Sequence, residues 1–167
     1  MSSGFSLHLV DEAATIALAD ALARRLPARA VVWLHGDLGA GKSTLARAML
    51  RALGVQGAIR SPTYTLVERY PIAGGDAFHL DLYRIGDAGE LEFLGLDADD
   101  GRLWLVEWPE RGAGALPQAD LHVRLEVAGS GRAVSFEAGS ETGRDWLIKL
   151  EEPERLLTQV PDSQGIR

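Results

Sequence analysis

Short runs of alternating apolar and polar residues recur along this chain, and helical stripes lie between them. Phe5, Leu7 and Leu9 alternate with Ser6 and His8, which predicts a strand. Asp11 is placed to cap a helix running to about Leu26, with Ile16, Ala19, Leu22, Ala23 and Leu26 as its apolar stripe and Pro27 as its stop. Val31–Leu34 is a continuous apolar run, as in a buried strand. Thr44–Leu53 reads as a second helix, closed by Gly54. A strand is predicted over Thr65–Tyr70 and a turn over Pro71–Asp76. Another strand covers Phe78–Arg84, with Phe78, Leu80 and Leu82 on one face and His79, Asp81 and Tyr83 on the other. Asp87 followed by Glu90 resembles a capping box for a short helix through Leu94. Leu103–Trp108 is a mostly apolar strand stopped by Pro109. Leu121, Val123, Leu125 and Val127 alternate, Ala128–Gly131 turns, and Arg132–Ala138 returns as the second arm of a hairpin. Asp145–Leu150 predicts a terminal helix. This mixture predicts an α/β fold with antiparallel pieces, whose ligands bind beyond the carboxyl ends of strands.

Composition narrows the class. A chain of 167 residues, 46% of them hydrophobic, suits one domain with a real core. We read residues 1–150 as that domain and 151–167 as a charged, Pro-containing tail expected to be disordered. The net charge of −7 argues against a broad nucleic-acid-binding surface. There is no cysteine, so disulfides and thiolate metal sites are excluded. No apolar run approaches the ~20 residues needed to span a bilayer, and Met1–Phe5 lacks signal-peptide character, so a cytoplasmic protein with no membrane role is expected.

The chemistry is concentrated in Gly36-Asp37-Leu38-Gly39-Ala40-Gly41-Lys42-Ser43, a complete G-x-x-x-x-G-K-[ST] phosphate-binding loop between a predicted strand and a predicted helix. Glycines let the backbone turn its N–H groups inward, and the helix N-terminus completes an anion site. Lys42 supplies a cation for the β and γ phosphates, and Ser43 a hydroxyl for Mg²⁺. The motif implies a nucleoside triphosphate, bound over Gly36–Ser43 and Thr44.

Other residues are candidates through their positions in or beside predicted strands. Glu107 closes an apolar strand and matches the acid that completes Mg²⁺ binding in such proteins, although an edge-of-strand carboxylate would look the same. Asp81 is a candidate positioner of the attacking water or of Mg²⁺-bound waters; the alternative is a solvated strand face shared with His79 and Tyr83. Ser61-Pro62-Thr63-Tyr64-Thr65 offers hydroxyls to the γ-phosphate or Mg²⁺ as a switch segment does, or is a simple polar turn. Trp108 sits beside Glu107, near the nucleotide or in the core. Arg84 and Arg111 are open to phosphate, partner or plain surface roles, and His8, His35 and His122 are scattered without metal spacing.

Taken together, the P-loop, Ser61-Pro62-Thr63-Tyr64-Thr65-Leu66-Val67, His79-Leu80-Asp81-Leu82-Tyr83-Arg84 and Glu107-Trp108-Pro109-Glu110, in this order, closely resemble the TsaE (YjeE) family of bacterial ATPases. The resemblance covers about residues 5–150. It implies a three-layer P-loop fold with a central parallel sheet flanked by antiparallel strands. It implies weak ATP hydrolysis inside a complex with the TsaD and TsaB proteins. That complex delivers a threonylcarbamoyl group to N6 of adenosine 37 in tRNAs reading ANN codons, so tRNA is met only indirectly. Ser43 and Glu107 would take the Mg²⁺ roles, Lys42 the phosphate role, and Asp81 and Thr63 the hydrolysis or switch roles. Asp11, Glu12 and Arg132 would contact adenine. Two other readings stay open on the residues alone: a small-molecule P-loop kinase and a nucleotide switch that does not hydrolyse. The acidic stretch Gly86–Gly101, with Asp87, Glu90, Glu92, Asp97, Asp99 and Asp100, suits a docking surface better than the Arg-rich lid of a kinase.

Overall fold

In the computed structural model, which describes residues 4–94 and 101–150, seven strands form one mixed sheet. They are β1 (Gly4–Leu9), β2 (Ala30–His35), β3 (Val67–Ile72), β4 (Gly75–Asp81), β5 (Gly101–Glu107), β6 (Leu121–Ala128) and β7 (Gly131–Ala138). Helix α1 spans Glu12–Arg24, α2 spans Lys42–Ala52, and residues 141–150 form α3. The spatial order is β1-β7-β6-β2-β5-β4-β3. β6, β2, β5 and β4 run parallel, while β1 and β7 at one end and β3 at the other pair antiparallel. This is the predicted α/β class with a parallel core. Asp97, Asp99, Asp100 and the tail from Glu151 lie outside the described residues.

Period-two alternation sorts the central side chains between two cores. Val32, Leu34, Leu103, Leu105, Leu121 and Val123 join Leu18 and Leu22 of α1, Leu45 and Met49 of α2, and Trp146 of α3. The Trp146 indole N–H also donates to the Leu22 carbonyl at 3.3 Å, tying α3 to α1. Val31, Phe78, Leu80, Trp104 and Val106 point to the opposite face and pack with Leu82, Ile85 and Leu91. That cluster contains no α-helical residue among the described ones; the segment after β4 and a 3-10 helix over Ala88–Leu94 cover it. The three layers expected from the resemblance are therefore asymmetric, with helices on one face and irregular chain on the other. Among the described residues no helix is long and apolar enough to cross a membrane.

Several element limits differ from the alternation pattern. β3 starts at Val67 because the preceding residues form a turn, in which Leu66 has φ 69° and donates its N–H to Pro62 at 2.9 Å. The strand then runs through Pro71, which is tolerated because β3 is a sheet edge and a missing N–H costs no ladder bond there. The turn predicted over Pro71–Asp76 shrinks accordingly, and β4 runs Gly75–Asp81 instead of Phe78–Arg84. Helix α1 stops at Arg24, short of Leu26, and α3 begins ahead of Asp145. The helix predicted after Asp87 winds as 3-10. Asp87 accepts from Gly89 N–H and Glu90 from Gly86 N–H, both at 3.1 Å, so the carboxylates still serve neighbouring backbone donors.

Candidate functional site

The phosphate-binding loop joins β2 to α2. Gly36 has φ 146°, and a Cβ there would lie 2.5 Å from the Leu125 carbonyl oxygen, so a side chain is excluded by both torsion and space. Gly41 takes the left-handed conformation at φ 111° as the N-cap of α2. This geometry suits a loop whose N–H groups and helix N-terminus gather an anion. The Lys42 ammonium folds back over the loop, donating to the carbonyls of Gly36 and, at 3.0 Å, Asp37. It also lies 4.3 Å from the Trp108 ring centroid, a cation–π contact. Burial lowers its pKa, against the opposing pull of the Glu107 and Asp81 carboxylates.

The floor beneath the loop comes from two adjacent parallel strands. Their register pairs Asp81 with Glu107 and His79 with Leu105. Alternation from Ala77 on β4 and from Leu103 and Leu105 on β5 places His79, Asp81 and Glu107 on the helical face. Glu107 is 2% exposed, and both its oxygens lie within reach of the Ser43 hydroxyl, at 2.9 and 3.0 Å. His79 Nε2 approaches the same carboxylate at 2.6 Å. Asp81 accepts the Tyr83 N–H at 3.0 Å. Burial raises the Asp81 pKa, the neighbouring Glu107 charge adds to the rise, and the Tyr83 N–H opposes it. The solvated-face alternative for His79 and Asp81 is thus corrected: His79 is 0% and Asp81 8% exposed.

A cavity of about 270 Å³ is lined by Leu38, Gly39, Gly41, Lys42, Ser43, Thr44, Thr63, Asp81, Glu107, Trp108 and Arg132. The Thr63 hydroxyl is 2.7 Å from that of Ser61. A second cavity, of about 190 Å³, shares Gly41, Thr44 and Arg132 with the first and adds Asp11, Glu12 and Thr15. Asp11 also caps α1, accepting the Ala14 N–H at 2.9 Å. Arg132 braces the loop from β7, donating to the Ala40 carbonyl at 3.0 Å and that of Gly39 at 3.3 Å. Gly36, Asp37 and Ala40 line neither cavity; they border another depression, beside Arg124–Val127 of β6.

Two features escape the sequence reading. One is His79 as a partner of Glu107; its signal is period two, since a strand that turns Asp81 toward the loop turns His79 the same way. The other is a histidine pair assembled by β2–β6 pairing, with His35 Nε2 and His122 Nδ1 3.0 Å apart. Both imidazoles are held below the usual histidine pKa, chiefly by burial. These histidines are therefore not scattered, although no group of three or more His, Cys, Asp or Glu among the described residues is placed to hold a metal. Arg111 donates to the Tyr83 carbonyl at 2.8 Å and stacks on the Tyr83 and Trp108 rings, while Arg84 covers the Tyr64 ring.

Comparison with known proteins gives this arrangement a lineage. The family model for the threonylcarbamoyl adenosine biosynthesis protein TsaE matches residues 9–134. The tRNA threonylcarbamoyladenosine biosynthesis protein TsaE of Haemophilus influenzae is 46% identical over 117 residues, covering 69% of this chain and 74% of that protein. Its Aquifex aeolicus counterpart is 44% identical over 105 residues, covering 62% and 75%. The crystal structure of Bacillus subtilis YdiB superposes with a TM-score of 0.75 at 26% identity, covering 92% of this chain and 98% of that one. The chain belongs to the TsaE family of tRNA threonylcarbamoyladenosine biosynthesis proteins.

Proposed function

We propose that the chain is a Mg²⁺-dependent ATP-binding and ATP-hydrolysing subunit that acts with TsaD and TsaB proteins in forming threonylcarbamoyladenosine. The modification would fall on N6 of adenosine 37 in tRNAs reading ANN codons, with tRNA met through the complex. The observation that carries this reading is the Ser43 hydroxyl at 2.9 and 3.0 Å from the Glu107 carboxylate, at the first turn of the helix that follows the P-loop. Hydroxyl and carboxylate are hard oxygen donors, and Mg²⁺ is usually held by one or two protein groups together with substrate phosphates. When bound, Mg²⁺ neutralises and orients phosphate charge. The loop N–H groups and Lys42 would hold the phosphates. Asp81 and Thr63, on the wall of the same cavity, would orient the water that attacks the γ-phosphorus, yielding ADP and phosphate. The adjoining cavity, with Asp11, Glu12 and Arg132 on its walls, would take the nucleoside.

The test is labelled-ATP turnover with and without TsaD and TsaB, in Mg²⁺ and in EDTA. Mg²⁺-dependent release of ADP and phosphate, raised by the partners, is the expected result. Transfer of phosphate to a metabolite in preference to water would make the chain a kinase. Binding with no hydrolysis, even in the assembled complex, would make it a switch.

A further inference from the structure

We propose that His79 is a positioning residue that fixes the rotation of the Glu107 carboxylate, and so decides which oxygen faces the P-loop cavity; this rests on the Mg²⁺-ATP reading above. His79 lines no part of that cavity, whereas Glu107 does, so the imidazole acts from behind the acid. Its Nε2 lies 2.6 Å from Glu107 Oε2, with both side chains at or below 3% exposure. A carboxylate in this bond accepts, so Nε2 carries the proton. Ser43 reaches both oxygens and therefore does not distinguish them. A histidine N–H on one oxygen does, leaving Oε1 as the oxygen without an imidazole partner.

The cost of this histidine supports a functional role. Its Nδ1 is buried and has no hydrogen-bond partner among the described residues. A half-satisfied imidazole in a core is a poorer packing choice than an apolar side chain of similar size. The neighbouring positions on this face are Ala77 and Leu105, both apolar, and Asp81 and Glu68, whose carboxylates accept from the Tyr83 N–H and the Thr65 hydroxyl and not from the imidazole. Among the described residues, the side-chain hydrogen bond of His79 is to Glu107, the residue at which a small rotation would misplace a metal ligand. Backbone pairing holds β4 and β5 in register here, so the imidazole and the carboxylate are carried on a rigid base.

The experiment uses the full chain and a fluorescent ATP analogue, titrated with Mg²⁺ and separately in EDTA. His79→Leu keeps volume and removes the donor; His79→Gln keeps an amide N–H within reach of Oε2. His79→Leu is expected to raise the Mg²⁺ concentration for half-maximal enhancement of binding about tenfold, with affinity in EDTA unchanged, while His79→Gln stays within about twofold of wild type. A wild-type Mg²⁺ response in His79→Leu overturns the role. Equal shifts in His79→Leu and His79→Gln also overturn it, because the ring's shape and not its donor would then matter. A parallel loss of affinity in EDTA overturns it as general damage to the pocket. Should His79→Leu not fold, His79→Asn carries the same test, its amide being too short to reach Oε2. A wild-type chain with no Mg²⁺ response removes the Mg²⁺-ATP reading and this role together, whereas the variant outcomes remove this role alone.

Discussion

The P-loop and the floor beneath it meet at one cavity but are assembled differently. Gly36–Ser43 is a run of consecutive residues whose shape follows from glycine torsions and the start of α2. The floor joins His79 to Glu107 across 28 residues, and Glu107 to Ser43 across 64, through strand pairing and helix packing. The turn of the loop is encoded within the run itself, although Leu125 of β6 and Arg132 of β7 abut it. The floor depends entirely on sheet register, since a one-residue slip of β4 against β5 would turn His79 and Asp81 to the other face. On the proposed function, the loop would supply binding that many proteins share, and the floor would supply what this chain does with the bound group. Substitutions in the floor should alter turnover and ion dependence, and substitutions in the loop should alter affinity.

Asp81→Asn tests the floor most severely. Its turnover in the presence of TsaD and TsaB should drop roughly a hundredfold or more, with ATP affinity within about twofold of wild type. Because burial raises the Asp81 pKa, wild-type turnover should decline on acidification sooner than an ordinary carboxylate would allow, and the variant should lack that limb. Stability carries the opposite sign. A raised folded pKa means that the native state holds the proton more tightly than the unfolded chain does. The stabilisation is then present below the unfolded carboxylate pKa and is lost as pH rises through the folded value. Asp81→Asn should accordingly melt above wild type at neutral pH, and the gap should close in acid. Equal melting curves across that range would remove the buried-charge argument.

Lys42→Ala makes the converse test of the loop. Loss of the charged donor should weaken ATP binding by about 3 kcal/mol, roughly a hundredfold, in a direct titration. Unchanged affinity would mean that the backbone N–H groups hold the phosphates alone. Glu107→Gln should have a smaller effect on binding, about tenfold, seen in Mg²⁺ and absent in EDTA. Equal Mg²⁺ dependence in variant and wild type would separate Glu107 from the ion and place the floor outside the binding step.

The same division explains how far the chain could be read before its structure. Features encoded by neighbours were legible: the Asp11 cap, the apolar run into the loop, the glycine pattern, and the hairpin of β6 and β7. Glu107 was legible as a candidate because it ends an apolar strand, and Asp81 because it is an acid inside one, but they were not legible as a pair, because their adjacency is a fact of register. His79 was legible only as one of three polar residues on a strand face, and period two does not say whether water or a helix covers that face. His35 and His122 illustrate the same limit, being far apart in the chain and joined by the β2–β6 crossover. The β3 limits failed for a different reason. Pro71 signals a turn in most settings, and the edge position that excuses it is a property of the sheet.

Asp11→Ala is the mildest test and the one that asks whether a locally encoded residue also belongs to the assembled site. Asp11 has extended backbone at φ −158°, and its carboxylate accepts the Ala14 N–H at 2.9 Å, while the residue lines the smaller cavity. Loss of the cap should cost about 1 kcal/mol of stability in a denaturant titration. Asp11→Asn retains a side-chain oxygen for the same bond and should recover most of that loss. ATP affinity should change less than about threefold in either variant, because the carboxylate is already committed to the helix and donates nothing to the phosphates. A loss of affinity in Asp11→Asn as large as in Lys42→Ala, with stability kept, would show that the first helix reads the nucleotide through charge. The boundary between local and assembled parts of the site would then run through α1 instead of along the P-loop.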